Sequence, residues 1–75
     1  MRPYANLGGN SGVLAYATTF DSITVQFKDG AEYLYTNASA GSAAISDMKA
    51  RADGGIGLNS YINQYVRKRY ARRLR

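Results

Sequence analysis

The run from Ser22 to Thr36, SITVQFKDGAEYLYT, restricts the fold of this chain more than any other stretch. Ile23, Val25 and Phe27 alternate with Thr24, Gln26 and Lys28, which is the period of a strand buried on one face. Asp29-Gly30 comes next, followed by a second alternating run, Ala31 to Thr36, with Tyr33 and Tyr35 on one side and Leu34 on the other. Asp-Gly in a two-residue loop is a strong hairpin signal, because a type I′ turn needs positive φ at both central positions. Gly30 is therefore read as a structural residue of the turn.

The flanking segments extend this hairpin. Val13 to Thr19, VLAYATT, is rich in strand formers, and its alternation offers either Leu14 and Tyr16 or Val13 and Ala15 to the core. A meander of this size has open edges at Val13–Thr19 or Ala31–Thr36, and its apolar face needs a cover. Asn37 to Ser42 reads as a loop with candidate helix caps at Asn37, Ser39 and Ser42. Ala43 to Ala52 reads as a helix with Ile45, Met48 and Ala52 on one stripe, stopped by Asp53-Gly54-Gly55. Leu58 to Arg73 reads as a second helix, whose apolar stripe is Leu58, Tyr61, Ile62, Tyr65 and Val66. The expected fold is thus α+β: a three-stranded antiparallel β-meander with two helices packed on one face. Residues 1–12 are expected to form a flexible leader, which Tyr4 and Leu7 could pin to the sheet, and residues 13–75 a single domain.

Several function classes are disfavoured by composition. A chain of 75 residues is one small domain. It has no cysteine and no histidine, so it lacks the usual side chains of metal sites, nucleophilic centres and general bases. Neither catalysis, a metal nor a cofactor is expected. No apolar run approaches the roughly 20 residues that cross a bilayer, and the N-terminus has no apolar signal core. A cytoplasmic monomer or homodimer is the expectation.

The placement of charge says more. The net charge is +5, and all of the acids, Asp21, Asp29, Glu32, Asp47 and Asp53, precede Gly54. Arg67, Lys68, Arg69, Arg72, Arg73 and Arg75 crowd the last nine positions. If the last helix ran on, Arg69, Arg72 and Arg73 would take up the stripe's direction, and burying them unpaired would be costly. The expected outcome is a helix that outruns the sheet near Val66 to Arg69 and projects a basic arm. Helix C-termini favour cations, but that effect needs one or two of them. A polyanionic partner accounts for the rest. Tyr70 lies off the stripe among the arginines and is the leading candidate to stack on a base. Tyr33 and Tyr35 are further stacking candidates, although packing under the helices is the favoured role for both. Tyr61 and Tyr65 are expected in the core.

Taken in order, Ser11, Tyr16, Ile23, Val25, Phe27, Gly30, Tyr33 and Tyr35, then Gly57, Ile62, Asn63, Val66, Arg67 and Tyr70, resemble the motif of the KTSC domain family. This is a small domain of bacteria and phages, also appended to the C-terminus of some lysyl-tRNA synthetases. The chain departs from that pattern at Asn37-Ala38, where the family usually carries Val-Pro. The resemblance implies no catalytic role, an association with RNA by analogy, and a structural Asn63 whose buried hydrogen bond would fix the last helix to the sheet. The leading expectation is non-catalytic binding of RNA or DNA through Arg67, Lys68, Arg69, Tyr70, Arg72, Arg73 and Arg75. The alternative is a protein-interaction module. It would take an acidic or nucleic-acid-handling partner through a sheet edge and the basic arm.

Overall fold

A computed structural model describes every residue from Met1 to Arg75. The elements are β1 (Arg2–Pro3), β2 (Val13–Thr19), β3 (Ser22–Phe27), β4 (Glu32–Thr36), α1 (Asn37–Ala40), α2 (Ser42–Gly54), α3 (Leu58–Tyr61) with a π-helical continuation over Ile62–Val66, and β5 (Arg72–Arg73). The class is α+β with one antiparallel sheet, but the sheet has five strands, in the order β1-β2-β3-β4-β5, and not three.

The expected hairpin is the middle of this sheet, with Ile23 opposite Tyr35 and Val25 opposite Tyr33. Its turn differs from the expectation. Phe27 N–H donates to the Ala31 carbonyl (2.8 Å), and Gly30 N–H donates to the Phe27 carbonyl (2.9 Å). The connection is therefore the three residues Lys28, Asp29 and Gly30. Only Gly30 takes a positive φ, 93°, since Asn6 is the sole non-glycine residue with one. A type I′ turn needs two such residues; a longer loop closed by a left-handed glycine needs one. Asp29 contributes its side chain instead, accepting from Ala31 N–H at 2.9 Å.

Cross-strand partners point to the same side of a sheet. Tyr16 opposite Val25, with the β3–β4 pairs, therefore defines an aromatic-rich face. A register shift between Val13 and Ala15 resolves the ambiguity of β2: Val13, Ala15 and Tyr16 are all buried, while Leu14 is exposed. Thirteen buried residues make one core, in which Val13, Tyr16, Ile23, Val25 and Tyr35 meet Ile45, Met48 and Ala52 of α2 and Leu58, Tyr61, Ile62 and Val66 of the last helix. The stripe read for α2 is thus its buried set, and α2 ends as expected on Gly55 with φ 75°. The segment before it is not a loop. Thr36 and Ser39 form a capping box around the short helix α1, which Gly41 separates from α2.

Both ends of the chain close the sheet. The leader runs along β2, with Arg2 opposite Tyr16 and Pro3 opposite Ala15. Tyr4 lies in the core, and its hydroxyl accepts from Leu58 N–H at 3.3 Å. Leu7 is held only by its backbone, whose N–H donates to the Gly55 carbonyl at 2.7 Å, while its side chain stays exposed.

The C-terminal segment departs furthest from expectation. The helix does not run to Arg73; it ends at Val66, and no basic helical arm projects. Its last turn widens into the π form, which changes the angular phase of the side chains. Leu58, Tyr61, Ile62 and Val66 remain buried, but Tyr65, expected in the core, is 61% exposed and leans on Tyr61 at a ring distance of 4.9 Å. Beyond the turn the chain comes back to the sheet, setting Arg72 opposite Leu34 and Arg73 opposite Tyr33. Ala71 N–H donates to the Leu34 carbonyl (2.6 Å) and Leu74 N–H to the Glu32 carbonyl (2.7 Å), while the Arg75 carbonyl accepts from Glu32 N–H (3.2 Å). The open backbone groups of β4 supply partners that a helix end in water lacks. The Ala31–Thr36 edge expected to be free is therefore occupied, and the β2 edge is in part covered by β1. No helix is long and apolar enough to cross a membrane.

Candidate functional site

The return of the tail encloses a groove of about 660 Å³ between the hairpin turn, the π-helical turn and the segment that joins the last helix to β5. The hairpin supplies Phe27, Lys28, Asp29 and Ala31, with Tyr33 and Tyr35 from β4. The last helix supplies Ile62 and Asn63, and the segment after it supplies Arg67, Lys68 and Tyr70. Lys28 is present because the three-residue turn lifts it to the rim. Arg67 and Lys68 are present because the helix stops at Val66, so the chain turns across the sheet at those residues.

The aromatic side chains form a graded cluster. Tyr35 is 1% exposed and belongs to the core. Its hydroxyl makes no hydrogen bond within the chain and is not a sealed polar atom, so it opens on the groove. Burial, with the neighbouring Tyr33 and Tyr70, pushes its phenol up to about 12, and it stays protonated at neutral pH. Tyr33 is half-buried and surrounded: the Phe27 ring meets it edge-on at 5.8 Å, Tyr70 lies 4.8 Å away, and the Arg73 guanidinium stands 5.6 Å over its ring. Tyr70 also meets Tyr35 edge-on at 6.3 Å and keeps 37% of its surface exposed. Of the three tyrosines considered for stacking, Tyr70 is the most exposed. Tyr35 is structural, and Tyr33 is covered by its neighbours.

The cations divide into those at the groove and those beyond it. Lys28, Arg67 and Lys68 line it against one carboxylate, Asp29, which is engaged by the Ala31 amide. None of the three takes part in an ion pair; the salt bridges of the chain are Arg2–Asp53, Arg51–Asp47 and Arg75–Glu32. Arg69 and Arg72 are exposed and also unpaired, but they lie outside the groove. Arg75 is matched to Glu32 at 3.3 Å, and the Arg73 Nε–H donates to the Arg75 carbonyl at 2.8 Å. The six cations of the tail therefore do not act as one prong. Arg73 and Arg75 fasten β5 to the sheet, while Arg67 and Lys68 face the groove.

Asn63 does not have the buried role implied by the family resemblance. It is exposed, makes no side-chain hydrogen bond to the sheet and lines the groove. Gly30 has its structural role at the turn. Lys28 and Phe27 are groove residues that the charge pattern missed, since they lie about forty positions before the tail. A lysine at the tip of a hairpin next to an aromatic strand was the only signal for them. A second, smaller cavity of about 220 Å³ beside the leader is lined by asparagines, serines and glycines with Tyr4 and Ile56, and so brings no charged side chain to a polyanion. Comparison with protein-family models, with curated proteins and with solved structures gives no match to this chain.

Proposed function

We propose that this chain is a non-catalytic, cytoplasmic binding domain that takes RNA or DNA in the groove between the hairpin turn and the end of the last helix, with the helical layer on the aromatic face of the sheet supporting the groove's floor. One observation carries this reading: three cations without ion-pair partners, Lys28, Arg67 and Lys68, flank a cluster of aromatic rings in a single groove. Cations that neutralise phosphates release counterions, and rings beside them accept bases, which together form the common arrangement of sequence-tolerant nucleic-acid sites. Arg69 and Arg72 extend the positive surface past the groove. The likeness to the KTSC motif points the same way, by analogy alone.

The test is a gel-shift panel of single- and double-stranded RNA and DNA at two salt concentrations. Retardation at low salt that fades at high salt is expected. A chain that retards no nucleic acid at low ionic strength would defeat the proposal.

A further inference from the structure

The rings and the cations of the groove differ in how far they are exposed. The Tyr35 ring is buried in the core with only its hydroxyl reaching the groove, and Tyr33 is walled by Phe27, Tyr70 and Arg73, so Tyr70 is the outermost ring of the cluster. Lys28 stands on the hairpin side, and Arg67 and Lys68 precede Tyr70 on the other. An unpaired base can lay its face on a ring so placed while its own phosphates meet the cations on either side. A double helix presents its phosphates to such a rim, but its bases are stacked on one another and show only their edges. A groove of about 660 Å³ has the scale of a small-ligand site and cannot enclose a duplex.

Building on the function proposed above, we infer that the groove takes an unpaired stretch of a single strand, RNA or DNA, with one base stacked on Tyr70 and the flanking phosphates on Lys28, Arg67 and Lys68. Arg73 does not compete for the base, because it is spent on the Tyr33 ring. Asn63, exposed at the groove wall with its amide free, is placed to meet a base edge or a sugar hydroxyl.

The experiment is fluorescence anisotropy with labelled oligonucleotides of equal phosphate count: a base-bearing single strand, an abasic strand and a blunt duplex. The wild-type chain should bind the base-bearing strand about tenfold more tightly than the abasic one, the scale of one stacked base. Tyr70→Phe should keep that preference and Tyr70→Ala should lose it. If Tyr70→Ala fails to fold, the comparison of base-bearing and abasic strands on the wild-type chain decides by itself. Equal affinity for all three probes would overturn the single-strand inference and leave the proposed function standing. Binding to none of them would overturn both.

Discussion

Replacing Lys28, Arg67 and Lys68 together with alanine tests whether the groove, and not the tail at large, meets phosphate. All three are exposed and none has a carboxylate partner, so their removal should leave the fold in place. Surface changes of this kind stay within about 0.5 kcal/mol each, so about 1.5 kcal/mol for the three together, which for a domain of this size moves the melting temperature by no more than about 12 °C. The effect on binding should be much larger. Each phosphate contact on a single strand contributes about −0.7 to the slope of log K against log salt, so three contacts contribute about −2. Over a fourfold rise in salt that slope costs the wild-type chain roughly 20-fold in affinity, and the triple variant should be free of this part of the loss. The assay is anisotropy with one single-stranded probe across a salt series, alongside a thermal melt of each protein. The control is Arg69→Ala with Arg72→Ala, which removes the same kind of charge outside the groove and should lower the slope less. A triple variant that melts like the wild type and keeps its salt slope would refute the assignment of phosphate to the groove. If the control pair flattened the slope instead, the contacts would belong to the outer face of the tail.

Three other outcomes follow from the geometry. Gly55→Ala should destabilise the domain by about 2–4 kcal/mol in urea unfolding, because φ there is +75° and the added Cβ would lie 2.6 Å from the Ala5 Cβ; a loss under about 0.5 kcal/mol would mean that the leader does not dock on this glycine. Tyr35 has its phenol raised from 10.0 to about 12, so the folded state holds that proton more tightly than the unfolded one. The stability this contributes is whole below pH 10 and is lost as pH climbs toward 12; Tyr35→Phe should lessen the alkaline decline in denaturation curves, to which Tyr16 and Tyr61, also raised by burial, contribute as well, and an unchanged decline would place the ring elsewhere. Removing residues 71–75 should bare the edge of β4 and produce concentration-dependent self-association in size-exclusion chromatography, whereas a truncated chain that stays monomeric would show that β5 protects nothing.

The parts of this fold that could be read from the chain are those whose signal is local. The alternation of Ile23, Val25 and Phe27, the glycine of the turn, and the Ile45, Met48 and Ala52 stripe each lie within a few residues of their cause. The parts that could not be read depend on distant partners. Arg72 and Arg73 have little strand character of their own; they become a strand because the amides and carbonyls of Glu32 and Leu34, some forty residues earlier, are open. The same holds for Arg2 and Pro3 beside β2. The stripe on the last helix holds at Leu58, Tyr61, Ile62 and Val66, and only Tyr65 is turned outward, where the widened turn breaks the regular period. Of the site, the cationic half of the tail and Tyr70 were legible as charge and aromaticity. Lys28 and Phe27 entered only once the tail had been folded back over the hairpin.

The folded-back tail also bears on the rival reading, in which a partner protein adds a strand to the sheet. Such a partner would have to displace the hydrogen bonds that Ala71, Leu74 and Arg75 make with Leu34 and Glu32, the Arg75–Glu32 ion pair and the Arg73–Tyr33 contact. The next edge outward, β5 itself, is two residues long and consists of arginines, which is how sheets discourage further pairing. On the opposite side only part of β2 lies bare, beside a β1 that is equally short. Strand addition is thus opposed at one edge and poorly supported at the other. The arginines that looked like a free prong serve two ends: the last ones lock the sheet, and that locking is what brings Arg67, Lys68 and Tyr70 to the lysine of the hairpin.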